Sequence, residues 1–244
     1  MLKATIAAEW LKMKRNPVWL SFILLPILPA IMGTFNYLQN QAVLQNHWYS
    51  LWTQHTLFNC YFFIPALIGV YCSYLYRMEH TNHNWNAVMT APVRISYLYF
   101  AKLFTASVMV CLTMVWIGVL FIASGWLAGV SGSVPINLLG WLVRGAFAGI
   151  VICAIQLIFS LIIRSFAVPV GIALIGGFSG VAFLSQGLGA YYPYSLLALG
   201  MNATNPEGAM PISMTTFILN CLLFILACWL FASLCLKKRD VIAG

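Results

Sequence analysis

Of 244 residues, 62% are hydrophobic, and only sixteen side chains, twelve basic and four acidic, carry a full charge. So few charges exclude a water-soluble domain, and together with a mean hydropathy of +0.92 they mark a polytopic membrane protein, one integral domain over residues 1–244. A net charge of +8 would suggest nucleic acid in a soluble protein; here the bases sit at the edges of apolar runs, which is a membrane-orientation pattern, and no nucleic-acid partner is expected.

The chain opens MLKATIAAEWLKMKRNPVWL, basic and then apolar in the manner of a secretory signal. The signal reading fails on length, because the charge-free run continues from Asn16 up to Arg77 with no early small-residue cleavage site. The basic cluster therefore belongs to the mature protein. Leu2, Ile6, Trp10 and Met13 share one face at helical spacing, which predicts a helix lying on the membrane surface with its bases toward anionic headgroups. Leu11 points the other way, and a plain positive anchor without a further role fits the same residues.

Charge-free windows long enough to cross about 30 Å of hydrocarbon follow six times. They are Val18 to Leu38, Leu57 to Tyr76, Tyr97 to Ile122, Gly145 to Ile162, Pro169 to Leu188 and Phe217 to Leu236. Continuous hydrophobicity without period-2 alternation predicts helices rather than a membrane barrel. Pro17 and Pro169 suit a first helical turn, whereas Pro26 and Pro29 lie inside span one and predict a kink.

Eleven bases fall on one side of these spans, in the N-terminal tail, around the loop after span two, after span four and in the C-terminal tail; Arg144 alone falls on the other. The positive-inside rule then places both termini in the cytoplasm. Trp48, Tyr49, Trp52, Trp126, Trp141, Tyr191, Tyr192 and Tyr194 are expected near the outer interface, and Trp10, Trp19, Tyr97 and Tyr99 near the inner one.

The loop after span two reads YRMEHTNHNWNAVMTAPVRISYLYFAK. Trp85, Val88, Met89 and Pro92 fall at i, i+3, i+4 and i+7, so a short helix here would offer an apolar face to a partner's groove or to the lipid surface. Lys102, one turn inside span three, is expected to snorkel outward.

Between spans five and six, Gly187 to Met214 is too short to cross twice and is broken by Pro193, so the plain reading is an aromatic interfacial loop. Asn202, Ala203 and Thr204 spell a glycosylation sequon, a tripeptide common by chance. His80 and His83 lack a third ligand for a metal, and His47 and His55 read as interfacial polar residues. The seven cysteines form no C-x-x-C pair and read as small packing residues. Gly145 with Gly149, and Gly176 with Gly180, let helices approach closely. No phosphate-binding G-x-x-x-x-G-K-[ST] loop exists, so energy must come from another subunit. Span interiors without Asp, Glu, Lys or Arg away from their ends argue against an ion-coupled carrier.

AEWLKMKR before span one, Glu79 followed by NWNAVMTAPVR, YLYFAK leading into span three, and six spans in 244 residues resemble the ABC type-2 exporter permeases, and within them the small permeases of lantibiotic self-immunity transporters. The resemblance implies an all-α integral membrane protein of six transmembrane helices in one domain, with an N-terminal interfacial connecting helix marked by Glu9, Trp10 and Lys12. It implies a cytoplasmic coupling helix between spans two and three, marked by Glu79, Trp85, Val88, Met89, Pro92 and Arg94, that sits on an ABC ATP-binding subunit. It also implies a re-entrant outer segment, a bacterial plasma membrane, two copies of an ATPase that binds ATP and magnesium, a second permease identical or related, and no cofactor on this chain. The cargo it implies is a lantibiotic or similar membrane-active peptide; the rivals are a multidrug or lipid exporter of the same architecture and a non-transporting scaffold.

Overall fold

The computed structural model describes residues 2–14, 16–81 and 95–238. Among them there is no strand, and six helices are long and apolar enough to cross a membrane: Val18–Gln39, His47–His80, Tyr97–Leu127, Leu138–Ile162, Ala167–Ser185 and Met214–Cys235. The expected all-helical, six-span architecture is therefore present. The helices are α1 (Leu2–Met13), α2 (Val18–Leu24), α3 (Ile27–Gln39), α4 (His47–Phe58), α5 (Ile64–His80), α6 (Ile95–Leu127), α7 (Leu138–Ile162), α8 (Ala167–Ser185), α9 (Ser195–Gly200) and α10 (Met214–Lys238).

Prolines shape two of the spans. Span one breaks between α2 and α3 at Leu25 and Pro26, where the missing proline N–H and its ring interrupt the helical ladder. Pro29 does not break the helix again, because α3 restarts at Ile27 and leaves Pro29 in a first turn where no N–H is needed. In span two a π-turn, Asn59–Phe63, joins α4 to α5, and Pro65 follows in the first turn of α5. The Tyr61 carbonyl ahead of Pro65 is approached so closely by α8 that a Cβ on Gly177 would stand 2.5 Å from its oxygen.

Span two begins at His47, ten residues before the expected Leu57, and span four at Leu138, seven before the expected Gly145. The turns added to span two are mostly polar or aromatic and face protein rather than lipid, whereas those added to span four bury Leu138 and Trp141 and leave Leu139 and Val143 exposed. His55 is 1% exposed, with Nε2 2.9 Å from Thr34 Oγ1 and 3.3 Å from Ser124 Oγ, which corrects its reading as an interfacial residue. Gly33 makes this contact feasible, since a Cβ there would lie 2.9 Å from the His55 backbone.

The expected outer aromatic belt is also partly overturned. Trp48, Trp52, Trp141 and Tyr194 are buried; Trp52 stacks on Trp141 with centroids 4.9 Å apart, Trp52 also meets Phe121 edge-on, and Trp141 meets Tyr49. The indole N–H groups find partners inside the protein, Trp48 donating to the Gly132 carbonyl at 3.1 Å and Trp52 to that of Met201 at 2.9 Å. Buried indoles that are hydrogen-bonded no longer need the headgroup region. Trp126 and Tyr191 remain exposed.

Burial separates central from peripheral spans: 67% of the apolar window of span two is covered by protein, against 22% in spans five and six and 28% in span one. The exposed Leu, Ile and Phe of those three helices are what lipid requires. The segment between spans five and six lies only partly at the surface. Ser195 to Ala203 are buried, and α9 is wedged so tightly that a Cβ on Gly200 would lie 3.0 Å from the Arg144 carbonyl oxygen and from Phe217. Asn202, at φ 49°, is buried too. Beneath α9, the Gln156 amide donates to the Pro169 carbonyl (2.9 Å) and accepts from the Ala173 N–H (3.3 Å) and the Tyr194 hydroxyl (2.6 Å), so one buried side chain joins α7, α8 and the outer segment.

Candidate functional site

The chain turns from α1 into span one at Asn16, whose Oδ1 accepts from the Val18 N–H at 3.0 Å, while Trp19 Nε1 donates to the Met13 carbonyl at 2.9 Å. These bonds fold α1 back against the bundle. Its buried face is Thr5, Glu9 and Met13, at i, i+4 and i+8. The expected face of Leu2, Ile6, Trp10 and Met13 is therefore rotated: Trp10 is 37% exposed and meets Trp19 edge-on at 6.3 Å. The rotation has an electrostatic reason, since it carries Glu9 inward to meet buried cations.

Those cations are Lys12 and Lys102. Lys12 Nζ lies 2.6 Å from Glu9 Oε1 and 2.6 Å from Glu79 Oε1; Lys102 Nζ lies 2.9 Å from Glu9 Oε2 and 2.7 Å from Glu79 Oε1. Lys102 also donates to the Leu75 carbonyl at 2.5 Å, so its three N–H groups are all used, and its ammonium stands 4.7 Å from the Tyr76 ring centroid. The Lys102 side chain is fully buried and both carboxylates are 2% exposed, whereas Lys12 keeps 26%. Expected to snorkel, Lys102 instead points into the protein. Turning it to the surface would leave two buried carboxylates with one ammonium, a larger penalty than burying a base whose donors are all satisfied.

Two acids and two bases make the cluster neutral, the condition under which buried charges are tolerated. For Lys12, burial is the largest influence and lowers the pKa, but the Glu79 and Glu9 carboxylates together outweigh it and hold the ammonium above its ordinary 10.5. A pKa raised on folding contributes stability that is complete below 10.5 and is lost only as pH rises through the folded value. The cluster is thus fully charged at physiological pH on the Lys12 side.

Mechanically, the cluster ties three helices. Glu9 and Lys12 come from α1, Glu79 and the Leu75 carbonyl from the last turns of α5, and Lys102 from α6. Two more contacts hold the end of α5. His80 Nε2 lies 2.8 Å from the Ser160 carbonyl of α7, and the Arg77 guanidinium sits 5.6 Å from the Phe166 ring and 6.0 Å from that of Tyr74. The end of α5, at His80 two residues ahead of position 82, is consequently anchored to α1, α6, α7 and the turn before α8.

Of the residues singled out from sequence, Glu9, Lys12 and Glu79 are brought together and Trp10 is set aside on the flank. Trp85, Val88, Met89, Pro92 and Arg94, together with His83, lie outside the described residues. Lys102 is the member that sequence reasoning missed, although a signal existed: Glu9 and Glu79 are the only acids in the first 206 residues, and an isolated Lys in an apolar run requires one of them. Among the described residues no group of three His, Cys, Asp or Glu converges as a metal site, and the arrangement is one of ion pairs between helices.

Residues 5–180 match the family model described as ABC-2 family transporter protein. The chain belongs to that family. The matched region runs from α1 into α8 and contains the whole charge cluster. No match is found among curated proteins. Family membership makes this multi-pass membrane protein an ABC-2 permease subunit, the membrane-spanning partner of an ABC ATP-binding subunit.

Proposed function

We propose that this permease works in an ATP-driven exporter which removes a lantibiotic or similar membrane-active peptide from the membrane of the cell that makes it. ATP and magnesium are bound and ATP is hydrolysed on the partner, with two ATP-binding subunits and two permease chains, identical or related, in the working complex. Both termini, α1 and the loop at positions 82–94 face the cytoplasm in the plasma membrane. Trp85, Val88, Met89 and Pro92, with Arg94 beside them, form the face that seats on the ATP-binding subunit.

The observation that carries this reading is the neutral ion-pair cluster. Because Glu79 is joined to Lys12 and Lys102 within 2.7 Å, a displacement delivered at the loop would reach α1 and α6 together rather than bend the end of α5 alone. Rigid coupling of this kind is what a subunit without its own nucleotide site needs in order to receive work from another. The absence of charge deep in the spans, with lipid-facing surfaces of Leu, Ile and Phe, supports an amphipathic cargo.

Cells expressing the chain with its ATP-binding subunit and any partner permease are expected to survive a higher dose of one lantibiotic, with unchanged sensitivity to unrelated small drugs. Protection against many such drugs and none against the peptide would replace this reading with a multidrug exporter of the same architecture.

A further inference from the structure

Among the described residues Arg144 is the one Lys or Arg at the end of the bundle opposite the charge cluster, in the second turn of α7, and its chemistry differs from that of Lys102. Its Nε donates to the Gly200 carbonyl at the end of α9, 2.9 Å away, where the helix dipole favours a cation. The four N–H groups on Nη1 and Nη2 have no protein acceptor among the described residues, and no carboxylate there lies within ion-pair distance. Glu207, the nearest acid in sequence, is exposed. The guanidinium lines a cavity of about 700 Å³ walled by Asn137, Gly140, Asn202 and residues 208–214. Nη1 lies over Gly140, 3.4 Å from where a Cβ would stand.

The rim of this cavity is apolar and exposed. Ile136 and Met214 line it at 93% and 46% exposure, and Leu139, Val143, Phe147 and Ile218 continue as exposed apolar residues along α7 and α10. A polar chamber holding an unpaired guanidinium and opening onto lipid-facing helices fits one ligand chemistry, an anionic head with apolar tails. The geometry points to a specific site for one anionic phospholipid, its phosphate paired with the free edge of Arg144 and its acyl chains lying along α7 and α10. A planar fork of N–H donors suits phosphate, and because the same guanidinium holds α9 through Nε, the bound lipid steadies the outer segment. This site is independent of the cargo and of the orientation of the chain.

The test uses the purified full-length chain in detergent, titrated with phosphatidylglycerol, phosphatidylcholine or inorganic phosphate, with retained lipid counted by native mass spectrometry and thermal stability followed in parallel. One phosphatidylglycerol is expected to bind at least about tenfold more tightly than phosphatidylcholine and to raise the melting temperature, while millimolar inorganic phosphate neither stabilises nor competes. Arg144→Gln should weaken that one site by about tenfold or more. Ile136→Glu, placed on the exposed rim where it cannot disturb packing, should do the same by repulsion, and Ile136→Lys should not. Equal binding of the two lipids, or wild-type phosphatidylglycerol affinity in Ile136→Glu, would overturn the assignment; so would competition by inorganic phosphate, which would mark a free-anion site. If Arg144→Gln loses its fold, the pair at position 136 decides alone.

Discussion

Replacing Lys102 with Met retains most of the volume and removes one charge from a buried neutral set. At an effective dielectric of about 20, each contact of 2.7 or 2.9 Å carries a gross attraction of about 6 kcal/mol, offset by several kcal/mol of desolvation per ion. What the substitution exposes is the remainder: Glu9 and Glu79 stay buried with Lys12 alone, and the Leu75 carbonyl loses its donor. Stability should fall by about 3 to 5 kcal/mol, the usual cost of stripping one partner from a buried ion pair. Equilibrium unfolding in mixed micelles, followed by tryptophan fluorescence, reads the loss. Adding Glu9→Gln restores neutrality around the remaining Lys12–Glu79 pair, so the double variant should recover at least half of it. Lys12→Met should cost less than Lys102→Met, since water reaches its quarter-exposed side chain. A Lys102→Met chain within about 1 kcal/mol of wild type, with no rescue by Glu9→Gln, would refute the view that these four charges hold α1, α5 and α6 together.

Two glycines of α8 should behave oppositely when changed to Ala. At Gly177 the new Cβ would stand 2.5 Å from a backbone oxygen and 2.7 Å from Pro65, so Gly177→Ala should destabilise by about 1 to 3 kcal/mol in the same unfolding assay, whereas Gly171→Ala meets nothing within 4 Å and should be silent or slightly stabilising. In a cysteine-free background, single cysteines at the exposed positions Asn46 and Ser131 should react with a membrane-impermeant thiol reagent in intact cells, and one at Asn82 should not. Labelling at Asn82 would reverse the orientation.

The existence of six spans was legible because lipid demands long uncharged runs, and nothing else in a chain of this size produces them. Their ends were less legible. HWYSLWTQ looks too polar for a span, yet Trp48, Ser50, Leu51 and Trp52 are buried against protein, and hydropathy cannot tell a residue facing protein from one facing lipid. For the same reason tryptophans assigned to a headgroup belt lie in the core, their N–H groups bonded to carbonyls 84 and 149 residues away in sequence. Pro26 and Pro29 announced a kink, but only the restart of the helix at Ile27 decided which of them breaks it. Glu9 and Lys12 on one element and Glu79 on another were singled out through resemblance, but that they meet was not legible, nor was Lys102 as their fourth partner, because its distance from the span end suggests snorkelling and only the two acids available to it suggest otherwise. The buried role of Ser195 to Ala203 depends on contacts with α7, α8 and α10, which no local pattern encodes.

The most direct measurement is retention of the ATP-binding subunit, together with substrate-stimulated ATP hydrolysis, on complexes purified from membranes containing the wild-type chain, Trp85→Ala or Trp85→Leu. If the loop face seats in a groove of that subunit, truncating a large aromatic anchor should cost about 2 kcal/mol or more of association. The Trp85→Ala chain should then insert normally yet lose its partner or the stimulated turnover, Trp85→Leu should lose less, and Trp85→Ala with Met89→Ala should be worse than either change alone. Full retention and normal turnover in Trp85→Ala, with the protein level in the membrane unchanged, would contradict the coupling of this permease to its ATP-binding subunit through that loop.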